Sequence, residues 1–288
     1  MSIRQACTTF EIQQRVFYYQ PKPNSDEEVE RELSKLAQLH SRWGFWMMHH
    51  HLRLMNYHWN HKRVYRIYTA MKLNLRRKHK KRLPLRIKEP LLQPLSPNLT
   101  WSMDFMHDGL INGVPFRSFN VIDDFNREAL NITLDKSLTS QRVIRELEKL
   151  IEWRGKPEKI RVDNGPEFIA GALELWTKAK NIELKFIQKG KPHQNGYVER
   201  FNRTYREEVL DNFAFENIPQ AQTLSNAWIW VYNNERPHSS LNYLTPTAFL
   251  LKYGKLLHAH CPSLEFPTFQ QDIKYKWNSL ILNANIYG

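Results

Sequence analysis

Three carboxylates are spaced so that a folded sheet can bring them to one face. Asp104 lies in WSMDFMHD, an aromatic-rich run that alternates like a strand, and Asp163 ends the run KIRVD just before the turn sequence NGPEF. Thirty-five residues separate Asp163 from Glu199, which lies in the helical stretch GYVERFNRTYREEVL. Mg²⁺ prefers oxygen ligands and keeps open positions for phosphate and water. The three carboxylates therefore predict a pair of divalent cations and phosphoryl transfer on nucleic acid.

The local environment of each carboxylate fits that chemistry. Asp104 points away from the side on which its strand neighbours pack, and Asp163 leaves its strand at the C-terminal end, where the sites of α/β folds gather. Glu199 shares a polar helix face with residues at offsets of four, three and seven, namely Asn195, Asn202 and Arg206. Carboxylates crowded together without metal raise one another's pKa, so the cluster is best explained as a cation site.

Other acids and histidines are interpreted as structural. Asp123 and Asp124 end the strand-like run VIDDF and are predicted to make turn or structural hydrogen bonds. Glu167, in NGPEF, is close to Asp163 in the sequence and can cap the helix that follows. The triplet His49–His51 is not predicted to bind metal, because adjacent helical residues point in different directions.

Five motifs occur in order along the chain. They are WSMDF (Trp101 to Phe105), VIDDFNRE (Val121 to Glu128), VDNGPEF (Val162 to Phe168), GKPHQNGYVERFNRTYREEVL (Gly190 to Leu210) and YNNERPHSSLNYLTP (Tyr232 to Pro246). Their order and spacing resemble the second-reading-frame (OrfB) protein of bacterial insertion-sequence transposases of the IS-three family, which carries an integrase catalytic core. The resemblance is weak over Ser2 to Pro97 and strong over Asn98 to about Tyr253.

The resemblance implies a reaction and partners. Asp104, Asp163 and Glu199 match the catalytic positions and are expected to hold two Mg²⁺ ions, for which Mn²⁺ can substitute. Water and then a DNA 3′-hydroxyl are expected to attack phosphodiesters, which gives cleavage and strand transfer at element ends with a circular intermediate. The expected partners are double-stranded DNA of the terminal repeats and the target, further copies of this chain on DNA, and an upstream-frame (OrfA-type) product joined by a programmed frameshift.

The order of predicted elements indicates a ribonuclease-H-like catalytic core in the α/β class. Three meandering strands are followed by alternating helix and strand, which predicts a mixed five-stranded sheet with helices on both faces. A small all-α, helix-turn-helix-like domain precedes it. The predicted divisions are a basic helical DNA-binding domain, a Pro-rich basic linker, the catalytic core, a C-terminal helical extension and a tail of unknown role, at 1–82, 83–98, 99–216, 217–254 and 255–288.

The N-terminal third is predicted to contain three short helices. DEEVERELSKLAQLH, from Asp26 to His40, has acids in its first turn and an apolar face, a second helix is expected within Trp43 to Met55, and Asn60 can cap a third. Short helices with a basic last member fit a helix-turn-helix-like DNA binder. The chain departs from the resembled family at Trp46, where an arginine is common.

The charge distribution indicates which part grips DNA. Residues 1–97 contain 19 Lys and Arg against 7 Asp and Glu, whereas residues 98–288 contain 23 against 22. A basic region ahead of a nearly neutral one favours phosphate contacts by the first third. The residues expected to contact DNA are Lys62, Arg63, Arg66, Arg76, Arg77, Lys191, His193, Asn195, Arg203 and Arg206.

Composition limits the remaining classes. A chain of 288 residues that is 41% apolar can bury at least one core, and its two cysteines give no disulfide framework. The sequence lacks a signal peptide and a membrane-length apolar run, so we expect a reducing cytoplasm, with the protein on the nucleoid when bound to DNA. Two alternatives stay open: a ribonuclease-H-type or junction-resolving nuclease that never joins, and a DNA-binding regulator derived from a decayed element.

Overall fold

The computed structural model describes residues 2–20, 26–75, 91–169, 171–188 and 192–254. The predicted DNA contacts Arg76, Arg77 and Lys191 lie outside these ranges, as does the predicted tail at 255–288. Within these ranges, no helix has the length and apolar composition needed to cross a membrane.

One five-stranded sheet organises the chain from residue 100 onward. Its strands are β1 (Thr100–Gly109), β2 (Pro115–Asp123), β3 (Ala129–Asp135), β4 (Lys159–Val162) and β5 (Glu183–Phe186), in the spatial order β3-β2-β1-β4-β5. The first three pair antiparallel, while β4 runs parallel to β1 and β5 runs parallel to β4. This is the predicted mixed sheet of a ribonuclease-H-like core, with the meander and the later strands confirmed.

The helices of the described residues lie before the sheet, between its strands and after it. They are α1 (Ile3–Thr9), α2 (Gln14–Phe17), α3 (Glu27–Leu39), α4 (Phe45–Leu54), α5 (His61–Ala70), α6 (Ser140–Arg154), α7 (Pro166–Ile169), α8 (Gly171–Ala179), α9 (Gly196–Tyr205), α10 (Ile218–Asn234) and α11 (Pro246–Phe249). The sequence predicts a helix from Pro166 to Lys180, and helix is found over Pro166–Ile169 and Gly171–Ala179.

Alternate residues of the strands supply two cores, one on each face of the sheet. Phe119 and Val121 pack with α6 and α8, whereas Ile122, one residue on, packs with α9 and α10. Both faces are therefore covered by helices, as predicted. The central strand β1 is therefore packed on both faces, which fixes the positions of its side chains.

The N-terminal helices form a third core of their own. Val29 and Leu33 on α3 pack with Leu52 on α4 and Ile67 on α5. The Asn60 side chain accepts a hydrogen bond from the backbone N–H of Lys62, which confirms the predicted cap at the start of α5. The three predicted helices are confirmed, while α1 and α2 were not predicted.

This helical region contacts the catalytic core through its histidines. Nδ1 of His51 lies 2.9 Å from the carbonyl oxygen of Glu235, and the ring of His50 stacks on Tyr243 with centroids 4.0 Å apart. Leu39 at the end of α3 packs against the core between the sheet and α10. The histidine triplet thus serves packing and hydrogen bonding.

Candidate active site

The centre of the site is Asp104, in the middle strand of the sheet. Its side chain lies on the face covered by α9, while Met103 packs in the opposite core. Oδ2 of Asp104 accepts a hydrogen bond from Nδ2 of Asn202 at 2.8 Å, and Oδ1 accepts one from the N–H of Phe105 at 2.8 Å. Two donors therefore hold this carboxylate in one orientation.

Asn202 is itself positioned by a buried amide. Its Oδ1 accepts a hydrogen bond of 2.7 Å from Nδ2 of Asn120, which stands opposite Asp104 in the β1–β2 register. Because Asn202 uses its oxygen for Asn120, its NH₂ group must face Asp104. The two amides thus present Asp104 with a donor and favour its ionised form.

Asp163 reaches the same edge of the sheet because of the parallel register. Ser102 of β1 is the partner of Arg161 of β4, and both aspartates lie two residues farther along their chains. Side chains alternate along strands, so Asp104 in the middle of β1 and Asp163 just after the end of β4 extend from the same face of the sheet. Oδ1 of Asp163 accepts a 3.0 Å hydrogen bond from the N–H of Gly165, which supports the exit turn.

Glu199 comes to this edge on the first turn of α9. Val198, Phe201 and Tyr205 are fully buried against the sheet and α10, and they fix the rotation of the helix. Glu199 is exposed, on the side of α9 that also carries Asn202. The apolar side chains of this helix thus pack inward, as predicted, and Glu199 lies off that packed side.

The three carboxylates act on one another electrostatically. The pKa of Asp104 is raised from 3.8 to about 6, chiefly by burial and also by the negative charges of Asp163 and Glu199. The hydrogen bonds from Phe105 and Asn202 oppose this effect. In the described part of the chain, no cluster of three or more acids, histidines or cysteines has the arrangement that holds a metal ion. The donor set nevertheless fits a hard cation, since positive charge would relieve the raised pKa of Asp104.

A cation–carboxylate pair borders this site. Arg117 of β2 pairs with Glu167, and its guanidinium lies over the ring of Phe105, 4.6 Å from the centroid. Arg117 lowers the pKa of Glu167 through its hydrogen bond. The sequence placed Glu167 near Asp163 as a possible helix cap, but the partner on β2 carried no local signal.

Asp123 and Asp124 are structural, as predicted. Both are fully buried, and burial raises the pKa of Asp123 to about 7 and that of Asp124 to about 6. The carboxylate of Asp123 accepts hydrogen bonds from the N–H groups of Asn98 and Phe125, and Asp124 pairs with Arg161 at 2.7 Å. They tie the ends of β1, β2 and β4 together beneath the site.

The predicted DNA contacts on α5 already have partners within the protein. Nε of Arg63 lies 2.9 Å from Oδ1 of Asp26, and Nη2 of Arg66 lies 2.6 Å from Oδ2 of the same carboxylate. Both arginines hold the start of α3, whereas Lys62 is exposed at the start of α5. Trp46, where the resembled family commonly has arginine, is 49% exposed on α4.

The predicted contacts around Glu199 differ in accessibility. Arg203 is exposed one turn after Glu199, and Arg206 donates to the carbonyl of His107 at 2.7 Å and pairs with Asp108 at 3.2 Å. A π-helical turn over Arg206–Leu210 follows α9, so Arg206 stands where the helix changes register.

Two predicted contacts precede α9 on a short 3-10 helix, Pro192–Asn195, which carries His193 at its second residue. Asn195, at its end, is only 2% exposed, and its Oδ1 has no hydrogen-bond partner among the described residues. These residues thus form a helical turn, and Asn195 faces the protein interior.

The YNNERPH motif packs on the catalytic core. The side chain of Asn233 exchanges two hydrogen bonds with the backbone of Ala129, accepting from its N–H and donating to its carbonyl, both at 2.9 Å. Nε of Arg236 lies 3.0 Å from the carboxylate of Glu208, and His238 is buried. Most side chains of this motif therefore contact the core.

Comparisons with known proteins agree with this architecture. Models described as integrase core domain match residues 94–192 and 180–246, and one described as HTH-like domain matches 24–81. Over 254 residues the chain is 39% identical to the insertion element IS407 uncharacterized 31.7 kDa protein of Burkholderia multivorans, covering 88% of this chain and 92% of that one. It is 36% identical to the insertion element IS476 uncharacterized 39.2 kDa protein of Xanthomonas euvesicatoria, covering 88% and 73%.

Solved structures give a weaker likeness. The HTLV-2 integrase catalytic core domain in complex with magnesium matches with a TM-score of 0.42 and 22% identity, covering 54% of this chain and 97% of that one. A simian T-cell lymphotropic virus intasome in complex with a PP2A regulatory subunit matches with a TM-score of 0.47 and 20% identity, covering 80% and 75%.

Proposed function

This chain belongs to the insertion-element transposases that carry an integrase core, and we propose that Asp104, Asp163 and Glu199 are the residues that perform its strand cleavage and joining. The family makes it a polynucleotidyl transferase acting in DNA transposition. The observation that carries the residue assignment is the convergence of the three carboxylates at one sheet edge, where two of them raise the pKa of the third.

The integrase core implies dependence on a divalent metal, and we assign the three carboxylates as its ligands. Two Mg²⁺ ions, or Mn²⁺ in their place, would supply Lewis-acid stabilisation of the attacking and leaving oxygens. The N–H of Phe105 orients one carboxylate oxygen of Asp104 through a hydrogen bond, and the side chain of Asn202 orients the other. Glu199, being exposed, lies where a DNA strand and water can approach.

The polar residues around the triad prepare it for a negatively charged substrate. Asn202 keeps Asp104 ionised and fixed, so that little reorganisation is needed when the substrate binds. Arg203 is exposed beside Glu199 and is proposed to contact a DNA phosphate. Arg206, with Asp108 and Asp211 within 4 Å, is proposed to exchange part of this pairing for DNA.

We propose that the basic N-terminal third makes most of the remaining contacts with DNA, because it carries most of the excess positive charge. The helical region at 1–82 and the linker at 83–98 supply sequence-independent affinity, while the core at 99–216 and its extension at 217–254 supply chemistry. A match to an HTH-like domain supports the first part, and DNA binding follows from both family matches. Because Arg63 and Arg66 pair with Asp26, the exposed Lys62 is the better candidate contact on α5.

We also propose that the active enzyme is a larger assembly than this chain. The chain covers 73% of the IS476 relative, whose additional length is compatible with a fused upstream product. A frameshift fusion of that kind would supply end recognition, and several copies would assemble on DNA. The non-joining nuclease and the decayed regulator receive no support from the relatives.

The residue assignment is tested by Glu199→Gln, with Asp104→Asn and Asp163→Asn as companions. Because the side chain of Glu199 is exposed, the change should leave the fold and DNA affinity within a few-fold while cleavage and joining in Mg²⁺ are abolished. Glu207→Gln, an exposed glutamate in the π-helical turn that follows α9, is the matched control and should retain activity. Joining by Glu199→Gln at a rate near that of the parent would show that the assignment is wrong.

A further inference from the structure

A second basic site lies beside α9, away from the three carboxylates. A cavity of about 270 Å³ is enclosed by α9, by the segment that follows α10, and by α4 of the helical region. Three arginines from different parts of the chain line it, namely Arg127, Arg200 and Arg236. Its residues have no part in the proposed metal site.

Arg127 is held in the wall of this cavity at a backbone conformation that is uncommon for a residue with a side chain. Its φ is 61°, it is only 8% exposed, and its guanidinium lies 3.5 Å from the ring centroid of Tyr197. No carboxylate of the described residues lies within 4.0 Å of it, since Asp124 pairs with Arg161 instead. This buried cation is stabilised by an aromatic face and by the more distant negative charge of Asp124, but it has no carboxylate in direct contact.

The other cations add to this excess of positive charge. Arg200 is exposed on α9 and has no carboxylate partner in the described part of the chain. Arg236 pairs with Glu208, which does not line the cavity. Three guanidinium groups thus share a single paired carboxylate.

A buried imidazole supplies an independent sign of a missing ligand. His238 lines the cavity, is only 7% exposed, and its Nε2 has no hydrogen-bond partner among the described residues. A buried polar atom without a partner is unfavourable by about 1–3 kcal/mol and is rare in folded proteins. Burial and the neighbouring arginines lower the pKa of His238, and an oxyanion in the cavity would offset this positive charge, so that the nitrogen would be protonated and would donate to the oxyanion together with the arginines.

We propose that this cavity binds a phosphate group, and that its source is the backbone of a DNA strand that runs along α9. The DNA source rests on the proposed function. Neighbouring residues of a helix point about 100° apart, so Arg200 faces the cavity while Glu199 faces the metal site. A helix is roughly 10–12 Å across with its side chains, so one strand can span both places. The cavity would therefore hold a phosphate that is not cleaved.

The principal test uses Arg200→Gln in the full chain, because this exposed residue can change without disturbing the core. Duplex DNA binding is measured by fluorescence anisotropy as salt is raised, without divalent metal. Loss of one phosphate contact should weaken binding several-fold and reduce the salt slope by about 1. Arg145→Gln removes an exposed arginine from α6, on the opposite face of the sheet, and should change neither quantity. Arg127→Gln should act as Arg200→Gln does, provided that circular dichroism shows it folded.

A second measurement identifies the phosphate. Methylphosphonate groups, which are uncharged, replace single phosphates along the DNA. One position should weaken binding to the parent and have no effect on Arg200→Gln, which shows that this arginine and this phosphate are partners. Equal effects on both proteins at all positions would overturn the proposal.

A free nucleoside monophosphate distinguishes the other source. If it raises the melting temperature of the parent but not of Arg200→Gln, while the methylphosphonate scan is flat, the cavity takes small phosphates and the DNA source is wrong. A parent that cannot join element ends even when fused to the upstream product refutes the proposed function. A parent that joins ends while Arg200→Gln binds DNA unchanged refutes only the phosphate cavity.

Discussion

Replacing Asp104 with asparagine should remove activity and yet make the metal-free chain more stable at neutral pH. The folded chain raises the pKa of Asp104 from 3.8 to about 6, chiefly by burial and secondarily by the charges of Asp163 and Glu199. Because folding raises the pKa of this carboxylate, its ionised form is less favourable in the native state than in the unfolded chain. The native state therefore loses stability as pH rises from about 4 to about 6, because Asp104 ionises there.

The expected size of this loss follows from the shift in pKa. A change from 3.8 to about 6 corresponds to about 3 kcal/mol in the free energy of unfolding. Asparagine keeps one acceptor oxygen, so it loses one of the hydrogen bonds from Phe105 and Asn202, which costs about 1 kcal/mol at any pH. Asp104→Asn should thus be more stable than the parent by about 2 kcal/mol above about pH 7. It should lose this advantage below about pH 4, where Asp104 is protonated.

Urea unfolding of the full chain at a series of pH values, in the presence of a chelator, measures this difference. Glu152→Gln, at an exposed position of α6, is the charge-matched control and should track the parent. Added Mg²⁺ should stabilise the parent more than Asp104→Asn, since a cation offsets the crowded charges. A stability difference between Asp104→Asn and the parent that is the same at both ends of the pH range would refute the reasoning.

Two further outcomes are expected. Asn202→Ala should raise the Mg²⁺ concentration needed for half-maximal joining by roughly tenfold, because the donor that orients Asp104 is lost. Asn226→Ala, at an exposed position of α10, is the control. An unchanged Mg²⁺ requirement in Asn202→Ala would contradict the positioning role of Asn202. A fragment of residues 1–97 should bind duplex DNA with an affinity that falls steeply with salt, whereas residues 98–288 should bind far more weakly. Equal affinities in a filter-binding assay at moderate salt would contradict that division.

The positions of the three carboxylates in the fold were predictable because their signals are local. Alternation in WSMDFMHD identified the strand that carries Asp104, and the turn residues after KIRVD placed Asp163 at a strand end. Helical spacing alone separated the face of Glu199 from the apolar side of α9. These patterns depend on residues within a few positions of each carboxylate, so they survive without knowledge of the whole fold.

The partners of the basic residues were not predictable in the same way. Helical spacing correctly indicated that Arg63 and Arg66 lie off the apolar face of α5, but not that Asp26 takes both of them. That carboxylate lies 37 and 40 residues earlier in the chain. Such contacts depend on how α3 packs against α5, which the pattern of either helix does not specify.

The cavity beside α9 was also not predictable from the sequence, because residues from distant stretches form it. Arg127 comes from the turn between β2 and β3, Arg200 from α9, and His238 from the segment after α10. Each is ordinary in its own stretch of sequence, and the site exists only once the three stretches meet. Asn195 is a related case, because its polar side chain and loop-like neighbours indicated exposure while packing buried it.

The contact between His51 and Glu235 can form only late in the synthesis of the chain. The two residues are 184 positions apart, and Tyr243, on which His50 stacks, comes later still. Regions generally fold as units as they leave the ribosome, so the cluster of α3, α4 and α5 forms well before its docking surface has been translated. A product that stops before residue 235 would therefore keep the sheet and the three carboxylates, but His51 and His50 would lack their contacts with Glu235 and Tyr243.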